Sequence, residues 1–293
     1  ISNSVSGLTA TSRGIETVSS NLANALTPGY ARRETALASR VTGHGGGVGI
    51  NGVDRIINTA LLADSRLAQA KVGAADTVAS FHAAMEGAFG TTTGSTSLDN
   101  SLVEFEAALT AAAARPDSET RLSAVLDTAT ALTGKINEIA TAIQSERTKA
   151  EQTIKQDVAR LNHALGQVAD LNSQIVSVTA QGRSPASLLD ARQAAIDAIA
   201  QIVPVKEVAR ENGRVALFTA GGAILLDGTA PAEIGFDSAA GMNANMSLPG
   251  GQLSALTFNG KPLTGVQQEM FAGGTMAASF DIRDRLAAGY QSQ

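Results

Sequence analysis

The sequence has no cysteine and no tryptophan. Disulfides, thiolate metal sites and thiol nucleophiles are thereby excluded. Aromatic rings are scarce as well, with two tyrosines and eight phenylalanines in 293 residues. A chain so poor in rings and so rich in alanine is expected to pack helix on helix through small and aliphatic side chains. An excess of positive charge is also missing: 22 basic against 27 acidic residues leave a formal charge of −5. That balance argues against a general nucleic-acid binder, which needs a basic face to displace counterions. No apolar run reaches the roughly 20 residues that span a bilayer. No charged-then-apolar leader is visible at the start. The chain opens on Ile1 and stops at ASFDIRDRLAAGYQSQ, in mid-helical pattern, so a fragment lacking its C-terminal part is expected.

What is present is periodic. Ile1, Leu8, Ile15 and Leu22 recur every seven residues, with Val5, Val18 and Leu26 beside them. This is one apolar stripe on an amphipathic helix, ended by Pro28-Gly29. Nothing in the chain obviously partners that stripe, so a missing C-terminal part or another subunit is implied as its partner. From Ala31 to Val53 the chain reads as extended, interrupted by a glycine run at 43–52. A second helix is predicted from Asp54 to about Ala88, with Ala60, Leu67, Ala74 and Phe81 on one line. A third follows from about Leu98 to Ala114, apolar at Leu102, Phe105, Leu109 and Ala112. Arg115-Pro116-Asp117-Ser118 reads as a boundary with capping residues.

The next helix is predicted from about Glu119 to Ala180. Ile154, Leu161, Val168 and Ile175 hold one heptad position, and Ile143, Leu171 and Val178 the other. So long a pattern suggests a rod or coiled-coil-like bundle rather than a compact enzyme. Ser184-Pro185 opens another helix that ends before Pro204. Beyond it, turns at Asn212-Gly213, Gly221-Gly222 and Asp227-Gly228 separate short strands. More short strands are expected over 232–260, and helix resumes around Gly274.

Gly47-Val48-Gly49-Ile50-Asn51-Gly52 satisfies G-x-G-x-x-G. A dinucleotide site requires a buried apolar strand before it and a helix on a parallel sheet after it. The preceding ETALASRVTGH is too polar, and no βαβ series follows, so the glycines read as a bend permitting positive φ. His44, His82 and His163 are scattered and match no ligand motif. No G-x-S-x-G elbow exists. Asp190 with Arg192, and Asp281, Arg283, Asp284 and Arg285, read as local helix ion pairs. No catalytic, cofactor-binding or metal-binding residues are assigned.

SNLANALTPGYARR, residues 20–33, resembles the N-terminal signature of flagellar axial proteins (rod, hook and hook-associated). Asn21, Asn24, Thr27, Pro28, Gly29 and Tyr30 match it, and Leu26 replaces the usual asparagine. GGGVGINGVDRI, RPDSETRLSAVL, QVADLNSQI, GRSPASLLDARQ, NGRVALFTAGGAILLDG and GGTMAASFDIRDR follow in an order similar to that of the hook-associated protein 1 family. Gln193 stands where that family usually has an aspartate after the arginine.

The resemblance implies a mainly α fold of the axial-protein D0/D1 type, an elongated long-helix bundle with inserted short antiparallel strands. It implies a structural, non-enzymatic subunit at the hook–filament junction of the bacterial flagellum, extracellular and exported through the flagellar type III apparatus without a cleaved signal. Hook protein, the second hook-associated protein, further copies in a ring and an export chaperone are the implied partners, with no nucleic acid, membrane or cofactor. Ile1, Val5, Leu8, Ile15, Val18 and Leu22 are the implied assembly face. The expected organisation is an assembly helix and TPGY turn (1–30), an extended glycine-rich connector (31–53), a long-helix bundle (54–203), a small β-rich region (204–264) and a return to the helical domain (265–293). The alternatives are another axial protein, such as the second hook-associated protein, or a nucleotide-binding enzyme using GVGING.

Overall fold

The computed structural model describes residues 2–27, 29–42, 45–91 and 94–291. Helix α1 (Ser2–Ala23) is followed by strands β1 (Arg33–Thr42) and β2 (Gly45–Arg55). Helices α2 (Thr59–Phe89), α3 (Leu98–Ala114), α4 (Glu119–Ala180) and α5 (Ala186–Ile202) come next. Short strands β3 (Val205–Ala209), β4 (Val215–Thr219), β5 (Ile224–Asp227), β6 (Ala230–Pro231), β7 (Ile234–Phe236), β8 (Leu256–Phe258) and β9 (Lys261–Pro262) follow. The described chain closes with helices α6 (Gly265–Gln268), α7 (Thr275–Asp281) and α8 (Ala287–Gln291), the last two joined by a π-helical turn. The fold is mainly helical, with one long helix and short antiparallel strands. Two compact units form: Ile1–Lys71, Ala159–Gly235 and Thr257–Gly274 make the first, and Val72–Val158, Phe236–Leu256 and Thr275–Gln293 the second.

In the first unit the glycine run differs from the expected bend. Residues 45–55 are the second strand of an antiparallel hairpin, in register from Arg33↔Arg55 to Thr42↔Gly45. The register slips between Ala36 and Leu37, so Asn51 is an extra, bulged residue beside Gly52, whose φ of 146° disfavours a side chain. Gly47 leaves room where α1 lies against the strand. A Cβ on Gly47 would sit 3.0 Å from Ser6 Oγ, and the Val48 amide donates to that same hydroxyl at 3.3 Å. Helix α1 therefore has an intrachain neighbour on its Ser6 side, while Val5, Leu8, Ile15, Val18 and Leu22 of its apolar stripe stay exposed. The long-range pairing of two strands hides this from a reading along the helix.

The same unit holds the β3-β4-β5-β6 sheet. Asn172 of α4 ties it down, and Asn162 of the same helix holds β7. Asn172, fully buried beside the apolar heptad, donates to Val215 O (2.9 Å) and Gly228 O (2.6 Å) and accepts from Val215 N (3.2 Å). Asn162 makes a reciprocal pair with Ile234, at 2.6 and 3.0 Å. Each satisfies strand-end backbone groups that would otherwise be buried without partners. Around them Leu161, Leu165, Val168 and Ile175 of α4, and Ile196 and Ile199 of α5, are buried. Gly274 ends the unit at a close approach, where a Cβ would fall 2.1 Å from Ile202 O.

In the second unit Phe81, Met85, Ile139, Ile143, Ala150, Ile282 and Ala287 form one core cluster. The buried line of α2 runs through Ala70, Phe81 and Met85, while Leu67 is exposed. Likewise Leu102 and Leu109 of α3 are exposed and Ala112 is buried. The apolar lines read for these two helices are thus buried at Phe81 and Ala112 and exposed at Leu67, Leu102 and Leu109. Residues 237–255 are mostly turns rather than the strands expected there. Arg147 holds them, donating to Asn243 O at 3.0 Å, Met246 O at 2.6 Å and Arg283 O at 3.1 Å. Burial holds its guanidinium below the ordinary arginine range, with Asp284 opposing, Arg283 reinforcing and Glu151 opposing that shift.

Candidate assembly site

The TPGY segment sits at the foot of α1 and shows why its residues take these identities. Tyr30 N donates to Thr27 O at 3.2 Å, closing the turn. Gly29 has φ +80°, and a Cβ there would meet Ala194 Cβ at 3.3 Å. Left-handed backbone and close approach both demand glycine. Asn21, in the last turn of α1, uses its side-chain amide like a strand partner. It donates to Arg33 O (2.8 Å) and accepts from Arg33 N (2.9 Å) and Tyr30 OH (2.9 Å). Asn24 donates to Ser20 O at 2.9 Å, and Thr27 Oγ1 donates to Asn24 Oδ1 at 3.4 Å. The Arg33 guanidinium lies 4.9 Å from the Tyr30 ring centroid, a cation–π distance. Pro28 and Ile1 lie outside the described residues, as does His44.

Asp190 of α5 receives this segment. Its carboxylate accepts from Ala31 N (3.2 Å), Arg33 Nη2 (2.7 Å) and Arg55 Nε (2.6 Å). Arg55 Nη2 also donates to Gln193 Oε1. The root of α1 and both strands of the hairpin are thereby attached to α5 through one acid. The sequence reading of Asp190 and Arg192 as a local pair is corrected: residues two apart on a helix face different ways. Arg192 turns to Asn172 Oδ1 (2.8 Å) and Gly213 O (2.6 Å). Desolvation lowers its pKa, Glu207 opposes and Arg55 adds to the lowering. Of the second group, Asp281 pairs with Arg285 on one helical turn at 2.6 Å. Arg283 pairs locally with Asp284 at 2.6 Å and also reaches beyond its helix to Glu151, 2.7 Å away and buried on both sides. Burial lowers its pKa, but hydrogen bonds to Asp284 and Glu151 outweigh that and raise it.

Above this root, Val5, Leu8, Ile15, Val18 and Leu22 are all exposed, Leu8 at 72% and Leu22 at 79%. Ile15 and Val18 share a groove of about 620 Å³ with Leu37 and Val48 of the hairpin. Five large aliphatic side chains on one helix are more apolar surface than scattered exposure accounts for.

No cluster of three or more metal-ligand side chains exists among the described residues. His82 and His163 are exposed, and His82 Nδ1 meets only the Tyr290 hydroxyl at 3.0 Å. The GVGING segment is an antiparallel hairpin strand, not the turn between a parallel strand and a helix that a dinucleotide site needs. No described helix is long and apolar enough to cross a membrane.

Fold and site together define a class: a mainly helical protein whose N-terminal helix presents an apolar face and is rooted in a polar network. Residues 83–293 match the model of the flagellar hook-associated protein FlgK helical domain, and residues 1–30 match that of the flagella basal body rod protein. The chain belongs to the FlgK family of structural flagellar proteins. It is 28% identical over 245 residues to flagellar hook-associated protein 1 of Salmonella typhimurium, covering 80% of this chain and 43% of that one. It is 28% identical over 233 residues to the Bacillus subtilis protein of the same name, covering 75% and 46%. The chain thus spans less than half the length of these relatives. The structure of the flagellar hook junction protein FlgK from Burkholderia pseudomallei shares the fold, with a TM-score of 0.61 at 20% identity over 75% of this chain and 39% of that one.

Proposed function

We propose that the chain is a non-enzymatic subunit of the junction between flagellar hook and filament, working outside the cell by polymerisation and subunit contacts. The exposed aliphatic face of α1 carries this reading. In water such a face lowers the free energy by association, at roughly 25 cal/mol per Å² covered. The names of the relatives point the same way, since one is called a hook junction protein and others hook-associated protein 1. On this reading Val5, Leu8, Ile15, Val18 and Leu22, with Ile1, form the assembly face. Asn21, Asn24, Thr27, Pro28, Gly29 and Tyr30 set the angle at which that face leaves the body. The partners are hook protein on one side, the second hook-associated protein on the other, and further copies in a ring, with an export chaperone before assembly. Residues 1–30 then serve as the assembly module, 31–53 as its connector, 54–203 and 265–293 as the helical body and 204–264 as the β-rich part.

The test is complementation of a strain lacking the full-length gene. That strain is expected to bear hooks without filaments. Wild-type protein restores filaments, while the Leu8→Glu/Ile15→Glu double variant is secreted but restores none. Normal filaments on the deletion strain, or full rescue by the double variant, would overturn the assignment.

A further inference from the structure

Beside the Asp190 attachment, and within the same unit, lies a cavity of about 420 Å³ that the assembly reading leaves unused. Arg66, Arg192, Ile196 and Val205 form its buried floor, and Ile57 and Ala63 stand exposed at its mouth. Its charges do not balance. Arg55 and Arg33 share Asp190. Arg66 takes two carboxylates, Asp197 at 2.6 Å and Glu207 at 2.8 Å. Arg192, more than nine-tenths buried, has only neutral acceptors, the Asn172 amide oxygen and the Gly213 carbonyl. Three guanidinium groups, of Arg55, Arg66 and Arg192, therefore line the cavity against the single lining carboxylate of Glu207. An acceptor is short as well, because Arg66 Nη2 is buried without one. At the remaining position where an acid would reach Arg55 stands Gln193, neutral, accepting one bond.

A guanidinium excess in a site walled by aliphatic side chains has a specific complement. One negative charge reduces it, and an apolar stem behind that charge fits against Ile57, Leu62 and Ile196. We propose that this cavity binds a single carboxylate carried on a short aliphatic stem. Two sources share that chemistry: a small organic acid in solution, and an aspartate or glutamate side chain flanked by aliphatic residues on another protein chain. The inference stands apart from the junction role, since it needs neither α1 nor polymerisation.

The experiment is thermal denaturation of the chain titrated with butyrate, with its neutral amide butyramide, and with chloride at matched ionic strength. A blocked Leu-Glu-Leu peptide supplies the protein-borne carboxylate. A carboxylate at tenfold excess over its Kd is expected to raise Tm by about 2–3 °C. Butyramide and chloride leave Tm unchanged. Gln193→Glu places the missing charge in the cavity, so this variant starts at a higher Tm and loses the response. Ala63→Leu fills the mouth without adding charge and loses the response as well. Tighter binding of butyrate assigns the source to solution, and tighter binding of the peptide assigns it to a protein chain. Equal shifts with butyrate and butyramide, no shift with either carboxylate, or a response surviving in both variants overturns the proposal.

Discussion

The carboxylate of Asp190 lies 2.6 Å from Arg55 Nε, across 135 residues of chain, and the same acid receives Arg33. This contact fastens the end of the hairpin to α5, and through Arg33 and Asn21 it reaches the foot of α1. It rests on side chains that are mostly shielded from water, Asp190 at 14% exposure and Arg55 at 10%. Removing one partner leaves two guanidinium groups without their acid.

Asp190→Ala is accordingly expected to cost about 2–4 kcal/mol in stability. The loss should be local. Amide exchange over residues 31–55 should accelerate well beyond that in residues 81–89, as followed by hydrogen–deuterium exchange. Uniform acceleration in both segments would mean that Asp190 acts globally and not as an attachment.

Asn21 bridges three groups through one amide. Asn21→Leu should destabilise the TPGY root by about 1–2 kcal/mol, because Arg33 N and O lose their partners together. Tyr30→Phe removes only one hydroxyl contact and should cost less. Denaturant midpoints for the two variants check the order, and Tyr30→Phe proving the more damaging would contradict it.

Two glycines of α1 offer a contrast with Gly274. A Cβ on Gly7 or Gly14 would meet nothing within 4 Å, so Gly→Ala at either position should stabilise the helix by about 1 kcal/mol. Gly274→Ala pushes a methyl into Ile202 O and should destabilise by about 1–3 kcal/mol. Thermal melts of the three single variants should therefore move in opposite directions.

Asn172 is a fully buried polar residue beside the apolar heptad of α4. Asn172→Ala strips acceptors from Val215 N and from buried Arg192, with an expected cost of about 2–4 kcal/mol. Asn172→Leu restores the volume but not the bonds. A melt showing Asn172→Leu as stable as wild type would indicate that the hydrogen bonds contribute little.

Much of the helical architecture was legible because its signals are local. Helices over Leu98–Ala114 and Glu119–Ala180 match the sequence reading at both ends. Their limits are set by Ser97, whose hydroxyl caps Asn100 N at 3.1 Å, and by the Pro116-Asp117-Ser118 interruption. The heptad Ile154, Leu161, Val168, Ile175 is buried throughout. Helix α2 begins at Thr59 rather than Asp54, because the preceding residues are drawn into pairing with β1. Of the candidate site, the TPGY motif could be read from the sequence, but the acid that receives it could not.

The sequence by itself determined the spacing of apolar side chains, the turn residues and the absence of cysteine chemistry, all of which act over a few residues. Only the tertiary structure decided that the glycine run is a strand, since that depends on its antiparallel pairing with residues 33–42. It alone decided that Asp190 belongs to Arg33 and Arg55 rather than to Arg192. Charge partners over such separations are chosen by which surfaces pack together, and a one-dimensional pattern carries no record of that choice.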